Sequence, residues 1–403
     1  RSKLDGRINI LLNFKQIPIM GKQGLQCDFL VIGGGIAGAS IAYRLCDHGK
    51  VLLLEMEEYP GYHSTSRSAA LYAQSYGNRV IRALNLASGD FFRNPPQGFA
   101  DHPLIQPRGV LMLAREDQLE NLHVFFKETI ELSPKLKWIE KEEAIEIIPS
   151  LRKDYFSSAV FDSESKDIDV DGLHQGFLKG IRNSGGTILT DHPFLKAEKD
   201  GKYWKAILEK THVHTEVLIN AAGAWADQVA QNCGIPSIKL VPKRRTAMLF
   251  EPPKDIQCKE WPAVVDVDEC FYFKPEVEQL LGSPADETPV EPQDARPQDW
   301  DLALAVERIE KVLNFSITRA TKTWAGLRSF VEDKTPVVGY EPEHPGFFWL
   351  AGQGGYGIQT SPALSKVAAE LVLRNDIPDE IQSLGISSSD LSPLRLRSFI
   401  SQD

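Results

Sequence analysis

Two short runs near the front of the chain are apolar at every position rather than at every second one. Asp28-Phe29-Leu30-Val31-Ile32 and Lys50-Val51-Leu52-Leu53-Leu54-Glu55 read as strands buried on both faces. A glycine turn and a helix from about Ile36 to Asp47 lie between them, and Gly49 marks the return. Strand, helix and strand within about 30 residues make a βαβ unit with parallel strands and a right-handed crossover. Further on, Val80, Leu84, Ala87 and Phe91 recur at helical spacing until Pro95-Pro96. Leu173, Phe177 and Ile181 repeat that spacing ahead of Gly185-Gly186 and a strand over Thr187–Thr190. Glu216-Val217-Leu218-Ile219-Asn220 and Phe347-Phe348-Trp349-Leu350-Ala351 are further buried strands, each running into a glycine turn and a new helix. Ser283 to Asp299, acidic and carrying four prolines, predicts a surface loop.

The fold class expected is α/β, a two-domain protein. A Rossmann-type α/β domain is assembled from 23–95, 160–235 and 325–395, and an inserted β-sheet domain takes 96–159 and 236–324. Residues 1–22 are expected to be an N-terminal extension, with Met20 a candidate start.

Composition then removes several classes. Lys plus Arg number 45 against 55 Asp plus Glu, a formal charge of −10, and the densest basic run is only Lys243-Arg244-Arg245. Such a surface repels phosphate backbones, so no nucleic-acid partner is expected. The five cysteines are odd in number and form no C-x-x-C pair, which fits neither a disulfide framework nor zinc. A cytoplasmic location and no metal are the expectations. The most membrane-like run, Phe29 to Ala42, is broken by Gly33, Gly34, Gly35 and Gly38. It falls short of the roughly 20 apolar residues of a span, so no integral membrane segment is expected.

Gly33-x-Gly35-x-x-Gly38 is common by chance, but here it leaves a strand and opens a helix, and Glu55 closes the next strand. Gly33 permits the tight turn, Gly35 lets a pyrophosphate approach the backbone, and Gly38 allows close helix–strand packing. The helix N-terminus offers unpaired N–H groups and a positive dipole end, and Glu55 is placed for an adenosine ribose. A dinucleotide is the expected ligand. The following segment, Gly61-Tyr62-His63-Ser64-Thr65-Ser66-Arg67-Ser68-Ala69-Ala70-Leu71, is small and hydroxylated enough to lie along a pyrophosphate and a planar ring.

Three further motifs follow in order: Asn220-Ala221-Ala222-Gly223-Ala224-Trp225, Thr323-Trp324-Ala325-Gly326-Leu327-Arg328, and Gly352-Gln353-Gly354-Gly355-Tyr356-Gly357-Ile358-Gln359-Thr360. With Gly33 to Gly38, Glu55 and Ser64 to Ala70, this set resembles the D-amino-acid oxidase-like family of FAD-dependent oxidoreductases. The spacing is most similar to the bacterial D-arginine and broad D-amino-acid dehydrogenase branch, over about residues 26–395. The resemblance implies FAD rather than NAD, in a three-layer α/β domain roofed by a β-sheet substrate domain. It implies that Ala37 and Gly38 meet the pyrophosphate and Glu55 the ribose, with Met56 beside it. Ser64, Thr65, Ser66, Arg67, Ser68, Ala69, Ala70 and Leu71 would wrap pyrophosphate and isoalloxazine, and Phe194 would offer its backbone to the adenine. Gly223, Trp225 and Gly326 belong to the shared motifs. Gly354, Gly355, Tyr356, Gly357, Ile358 and Gln359 would line the flavin's pyrimidine side, where backbone N–H groups can stabilise the reduced anion. A covalent histidyl link through His63, which some relatives carry, is not expected; the FAD is expected to be non-covalent.

A small-molecule amino acid must present its Cα–H to the flavin, so catalysis is largely positioning. Arginine suits its planar carboxylate. The candidates are Arg328, behind an apolar Trp-Ala-Gly-Leu run that places it indoors, and Arg245, at the end of the basic triplet. By resemblance, Tyr76 closes over the substrate, Tyr272 bonds its carboxylate, Gln359 stands at the reacting side, and no side-chain base is needed. Tyr272 alternates with Phe271 and Phe273 and so points to the opposite sheet face. Where the arginine-preferring relatives carry an acidic residue this chain has Val110, and where they carry a flavin-side histidine it has Leu71. A buried cation without a partner is costly. The expectation is a pocket of Leu71, Val110, Ala263 and Val265 beside Gly355, preferring neutral or apolar D-amino acids.

The alternative within flavin chemistry is a secondary-amine oxidase of the sarcosine, glycine or proline type, which paired arginines serve equally well. A non-catalytic flavin scaffold, an NAD-dependent dehydrogenase and oxidation of a 2-hydroxy acid are the other readings. An electron acceptor is a required partner, and no motif separates oxygen from quinone or another acceptor.

Overall fold

The computed structural model describes residues 24–397; the extension expected at 1–22 lies outside the described residues. Strands Leu25–Ile32 and Val51–Leu54 pair in parallel within an eight-stranded sheet. Their side chains alternate between two cores. Phe29, Val31, Val51 and Leu53 pack on one face, and Leu30, Ile32, Leu52 and Leu54 on the other. Burial on both sides is why these runs are apolar throughout. Strand His212–Asn220 lies beside the first of these strands, Thr187–Leu189 beside the second, and Phe347–Ala351 beside His212–Asn220, all in parallel.

Helices Ile36–Leu45, Val170–Asn183 and Gly357–Arg374 cover the first face. The antiparallel strands Phe194–Asp200 and Tyr203–Leu208, with helix Ala226–Gln231, supply the core of the other. At the turn, Gly33 adopts φ +104°, and a Cβ on Gly38 would fall 1.8 Å from the Gly33 carbonyl oxygen. The third glycine of the motif thus lets the helix lie on the turn.

A second, nine-stranded sheet holds Val110–Ala114, Lys137–Ile139, Ser158–Asp162, Val241–Phe250, Ala263–Asp266, Tyr272–Glu276, Gln279–Ser283, Thr288–Pro289 and Ala320–Phe330. Helix Asp299–Val312 packs Ala305, Ile309 and Val312 against its core. Strands Ser158–Asp162 and Ala320–Phe330 belong wholly to this sheet, so the divisions expected at 159/160 and 324/325 cut through strands. The reason is pairing. Ala320–Phe330 runs antiparallel along nearly all of Val241–Phe250, including Arg245 opposite Gly326 and Lys243 opposite Arg328.

The segment expected to be a surface loop, Ser283 to Asp299, is exposed over much of its later part and needs correction at its start. Ser283 is buried, Thr288–Pro289 forms a short strand on Val241–Phe250, and Asp286 accepts from the backbone and hydroxyl of Thr246. Asp286 and Glu287 meet a basic strand, whereas Glu291, Asp294 and Asp299 are exposed. Among the described residues no helix is long and apolar enough to cross a membrane.

Candidate active site

One cavity runs from the glycine turn to the second sheet. At its near end, helix Ile36–Leu45 starts with Gly35 at the cap and no acidic residue in its first turn. Thr65 Oγ1 accepts from the Ile36 N–H at 3.0 Å, and Gly33, Gly35 and Ala37 face the cavity. Glu55 accepts from the Gly34 N–H at 2.9 Å and from the Glu57 N–H at 3.0 Å. Burial raises its carboxyl pKa, opposed by these backbone donors. Met56, Phe194, Gly223 and Trp225 complete this end, and Ser64, Thr65, Arg67, Ser68 and Ala69 form a side wall.

Arg67 holds that wall in place. Its Nη1 donates to the carbonyls of Ala295 and Ala325, both at 2.9 Å, and its Nη2 to Asp294 at 2.5 Å. Ser64 Oγ donates to the Leu327 carbonyl at 2.7 Å. The segment after Glu55 is thereby fastened to the Trp324–Arg328 strand.

At the far end Arg245, Tyr272, Gly326 and Arg328 face the cavity together with Gly354, Gly355, Gly357 and Ile358. Tyr272 points inward while Phe271 and Phe273 sit in the core behind it. Arg328 Nη1 donates to the Tyr76 hydroxyl at 3.2 Å, and that hydroxyl donates to Glu269 at 3.2 Å. Burial works against the Arg328 charge, but Tyr76, Tyr272 and Glu269 more than offset it, so its pKa lies above the ordinary value. Burial raises the Tyr76 pKa against the lowering influence of Arg328, which keeps the phenol neutral. Arg245 is engaged differently: Nε donates to the Asp286 carbonyl at 2.8 Å and Nη2 to Glu287 at 3.1 Å. Glu287 also accepts from Lys243 at 2.9 Å.

Several expected site residues stand off the cavity wall. Gln359 is 3% exposed and its Oε1 accepts from the Ala73 N–H at 3.0 Å, so its amide is a clip between segments rather than a reacting-side group. Tyr76 sits behind Arg328, and Tyr356 packs against Tyr76 and Phe330. Val110 is buried in its sheet opposite Ala263, Val265 stands opposite Tyr272, and Leu71 pairs with Asp167. None of the four lines the cavity directly, although Val110, Ala263 and Val265 share the sheet face of Tyr272, which does. Gly38 packs on Gly33, the Ser66 hydroxyl folds back to the carbonyls of Tyr62 and His63, and the Ala70 carbonyl accepts from Ile168.

Other wall and support residues escaped the sequence reading. Gln228 and Gln353 line the cavity beside His63, which the sequence already set along the pyrophosphate, and Glu57, Glu269, Asp286 and Glu287 hold its side chains. The acidic run Asp266-Val267-Asp268-Glu269 just before Tyr272 was the one local signal for Glu269.

The cavity fits a dinucleotide: a helix start free of acidic residues, a buried carboxylate one strand away and a glycine-lined far end lie along one channel. The pattern of the FAD dependent oxidoreductase (DAO) family matches residues 28–371. The chain belongs to this family. FAD is therefore its cofactor, and its chemistry is oxidation and reduction. A glycine oxidase of Bacillus licheniformis is 22% identical over 88% of this chain and 95% of its own length. An FAD-dependent oxidoreductase domain-containing protein 1 of Xenopus laevis is 26% identical over 94% of this chain and 83% of its own. The fold is that of glycine oxidase from Geobacillus kaustophilus, with a TM-score of 0.78 at 20% identity, covering 87% of this chain and 95% of that one. It is shared also with L-proline dehydrogenase from P. horikoshii, at 0.77 and 21%, covering 93% and 99%.

Proposed function

We propose that this protein oxidises the C–N bond of a small amino acid of the glycine, sarcosine or proline type, with FAD held non-covalently. Arg328 carries the reading: it faces the cavity and forms no ion pair among the described residues, whereas Arg245 already has Glu287. A cavity with one uncompensated cation selects one carboxylate. Arg328 would hold the carboxylate through its remaining N–H groups, with the Tyr272 hydroxyl beside it. Arg245, anchored by Glu287 and the Asp286 carbonyl, would orient rather than neutralise. FAD supplies a two-electron acceptor for the hydride leaving Cα. The nitrogen lone pair closes the C=N bond, and water then releases the carbonyl product and the amine.

Similarity to known enzymes favours small substrates over the larger D-amino acids. Relatives of this chain include glycine oxidases of Bacillus subtilis and B. licheniformis and a mitochondrial dimethylglycine dehydrogenase of Rattus norvegicus. The test is anaerobic flavin bleaching by glycine, sarcosine, L-proline, D-alanine, D-methionine and D-arginine in turn. Glycine, sarcosine or proline should bleach fastest; D-methionine or D-arginine leading the panel would overturn the reading. Arg328→Met should lower kcat/KM for the best substrate by about 100-fold or more.

A further inference from the structure

His63 occupies a position in the cavity wall that the reading so far leaves unused. Its ring lies 4.6 Å from Trp225 and 5.0 Å from Tyr62, and only 16% of its side chain is exposed. Nε2 is 2.9 Å from a carboxylate oxygen of Glu57. Ionised Glu57 can only accept, so Nε2 carries the proton, and in the neutral ring Nδ1 is left as an acceptor. That Nδ1 is shielded from solvent and has no partner among the described residues. Buried polar atoms in folded proteins are normally paired. The ring lines the same cavity end as Glu55, Gly61 and Trp225, where the dinucleotide's sugars and phosphates belong.

We propose that His63 binds FAD: Nδ1 accepts a hydrogen bond from a sugar hydroxyl of the dinucleotide, and Glu57 sets the tautomer that leaves Nδ1 able to accept. FAD brings two donor classes to this end of the cavity, sugar hydroxyls and the adenine amine, and the hydroxyls belong beside Glu55, whose end of the cavity the ring shares. Phosphate oxygens, being acceptors, do not match an imidazole lone pair. Glu57 and His63 therefore form a relay in which one residue touches the cofactor and the other positions it.

The test measures cofactor retention rather than turnover. Holoenzyme is diluted and the fluorescence of released FAD is followed, giving Kd for wild type and for His63→Phe, His63→Gln and His63→Asn. Phenylalanine keeps the stack on Trp225 but has no acceptor, and glutamine reaches toward Glu57. Asparagine places its carbonyl oxygen near the former Nδ1. FAD should bind about tenfold more weakly to the Phe and Gln variants, and within about threefold of wild type to the Asn variant. Glu57→Ala should weaken binding in the wild-type background and have no effect on top of His63→Phe. Wild-type affinity in His63→Phe would overturn the proposal and leave His63 a stacking residue. An Asn variant as weak as Phe, or equal effects of Glu57→Ala in both backgrounds, would overturn it too. So would flavin that stays with acid-precipitated protein, since a covalent link would make the hydrogen bond irrelevant to retention.

Discussion

The guanidinium of Arg328 lies flat against the bare Cα of Gly355: a Cβ built there would sit 2.8 Å from Cζ and 2.8 Å from Nη1. The glycine is what allows the cation to occupy that part of the wall. Gly355 does not have a left-handed backbone, so alanine is conformationally acceptable. The clash falls on the end of a flexible side chain, which can swing away. Gly355→Ala should therefore fold normally, with a stability change under about 1 kcal/mol. A shift of about 1 Å in a positioning group costs up to 100-fold in rate. Thermal unfolding and kcat/KM measured together check both halves of this expectation.

Tyr76→Phe removes the hydroxyl that joins Arg328 to Glu269. A hydrogen bond to a charged group contributes about 1.5–3 kcal/mol, so kcat/KM should fall by about 10- to 100-fold. The FAD spectrum should be unchanged, because Tyr76 stands off the cavity wall. A titration of holoenzyme with a non-reactive carboxylate such as benzoate, read by flavin difference spectra, should show the same loss.

Arg67 separates two effects that a single charge removal would merge. Asp294 is 43% exposed in its side chain, so Asp294→Asn should cost under about 1 kcal/mol. Arg67→Lys leaves one ammonium where a planar fork served the Ala295 and Ala325 carbonyls, and a buried acceptor loses its donor. FAD should leave this variant about tenfold faster or more, while the Asp294→Asn rate stays near wild type. Stopped-flow release of flavin fluorescence reads both.

His174 ties the dinucleotide turn to the second crossover helix, with Nε2 2.8 Å from the Gly34 carbonyl oxygen. Burial lowers its pKa below the ordinary 6.5, partly opposed by that bond. As pH falls through 6.5 the unfolded chain takes up a proton before the folded one does, so this group's contribution to stability is complete above that value and declines below it. The wild-type Tm should drop between pH 7.5 and 5.5 by more than that of His174→Gln, whose amide keeps a donor without titrating. Parallel Tm curves for the two proteins would remove His174 as the cause.

Strands whose two faces are both buried announce themselves in the chain, which is why Phe29–Ile32, Leu52–Leu54 and Phe347–Ala351 were legible. So was the cofactor class, through ordered glycine motifs whose geometry is local. Tyr272 and Arg328 could be found because alternation and an apolar lead-in are local as well. What was hidden depended on pairing between distant segments. Nothing near Val110 or Ala263 in the chain shows that they stand opposite each other in one sheet, on the face that carries Tyr272. Nothing in the Pro-rich acidic stretch shows that Asp286 and Glu287 secure Arg245. Gln359 shared a motif with cavity glycines but lies one helical turn further on, where its amide meets Ala73.

The cavity wall draws on residues from Ile32 to Ile358, contributed by both sheets. No contiguous fragment carries enough of it to grip the cofactor, so FAD is a ligand of the finished protein and not of its parts. By mass action, free FAD at about 100 times Kd adds about 2.7 kcal/mol to the folded state. A cell short of riboflavin would then hold less of this protein, through degradation of the empty chain, before any shortage of its catalytic capacity was felt.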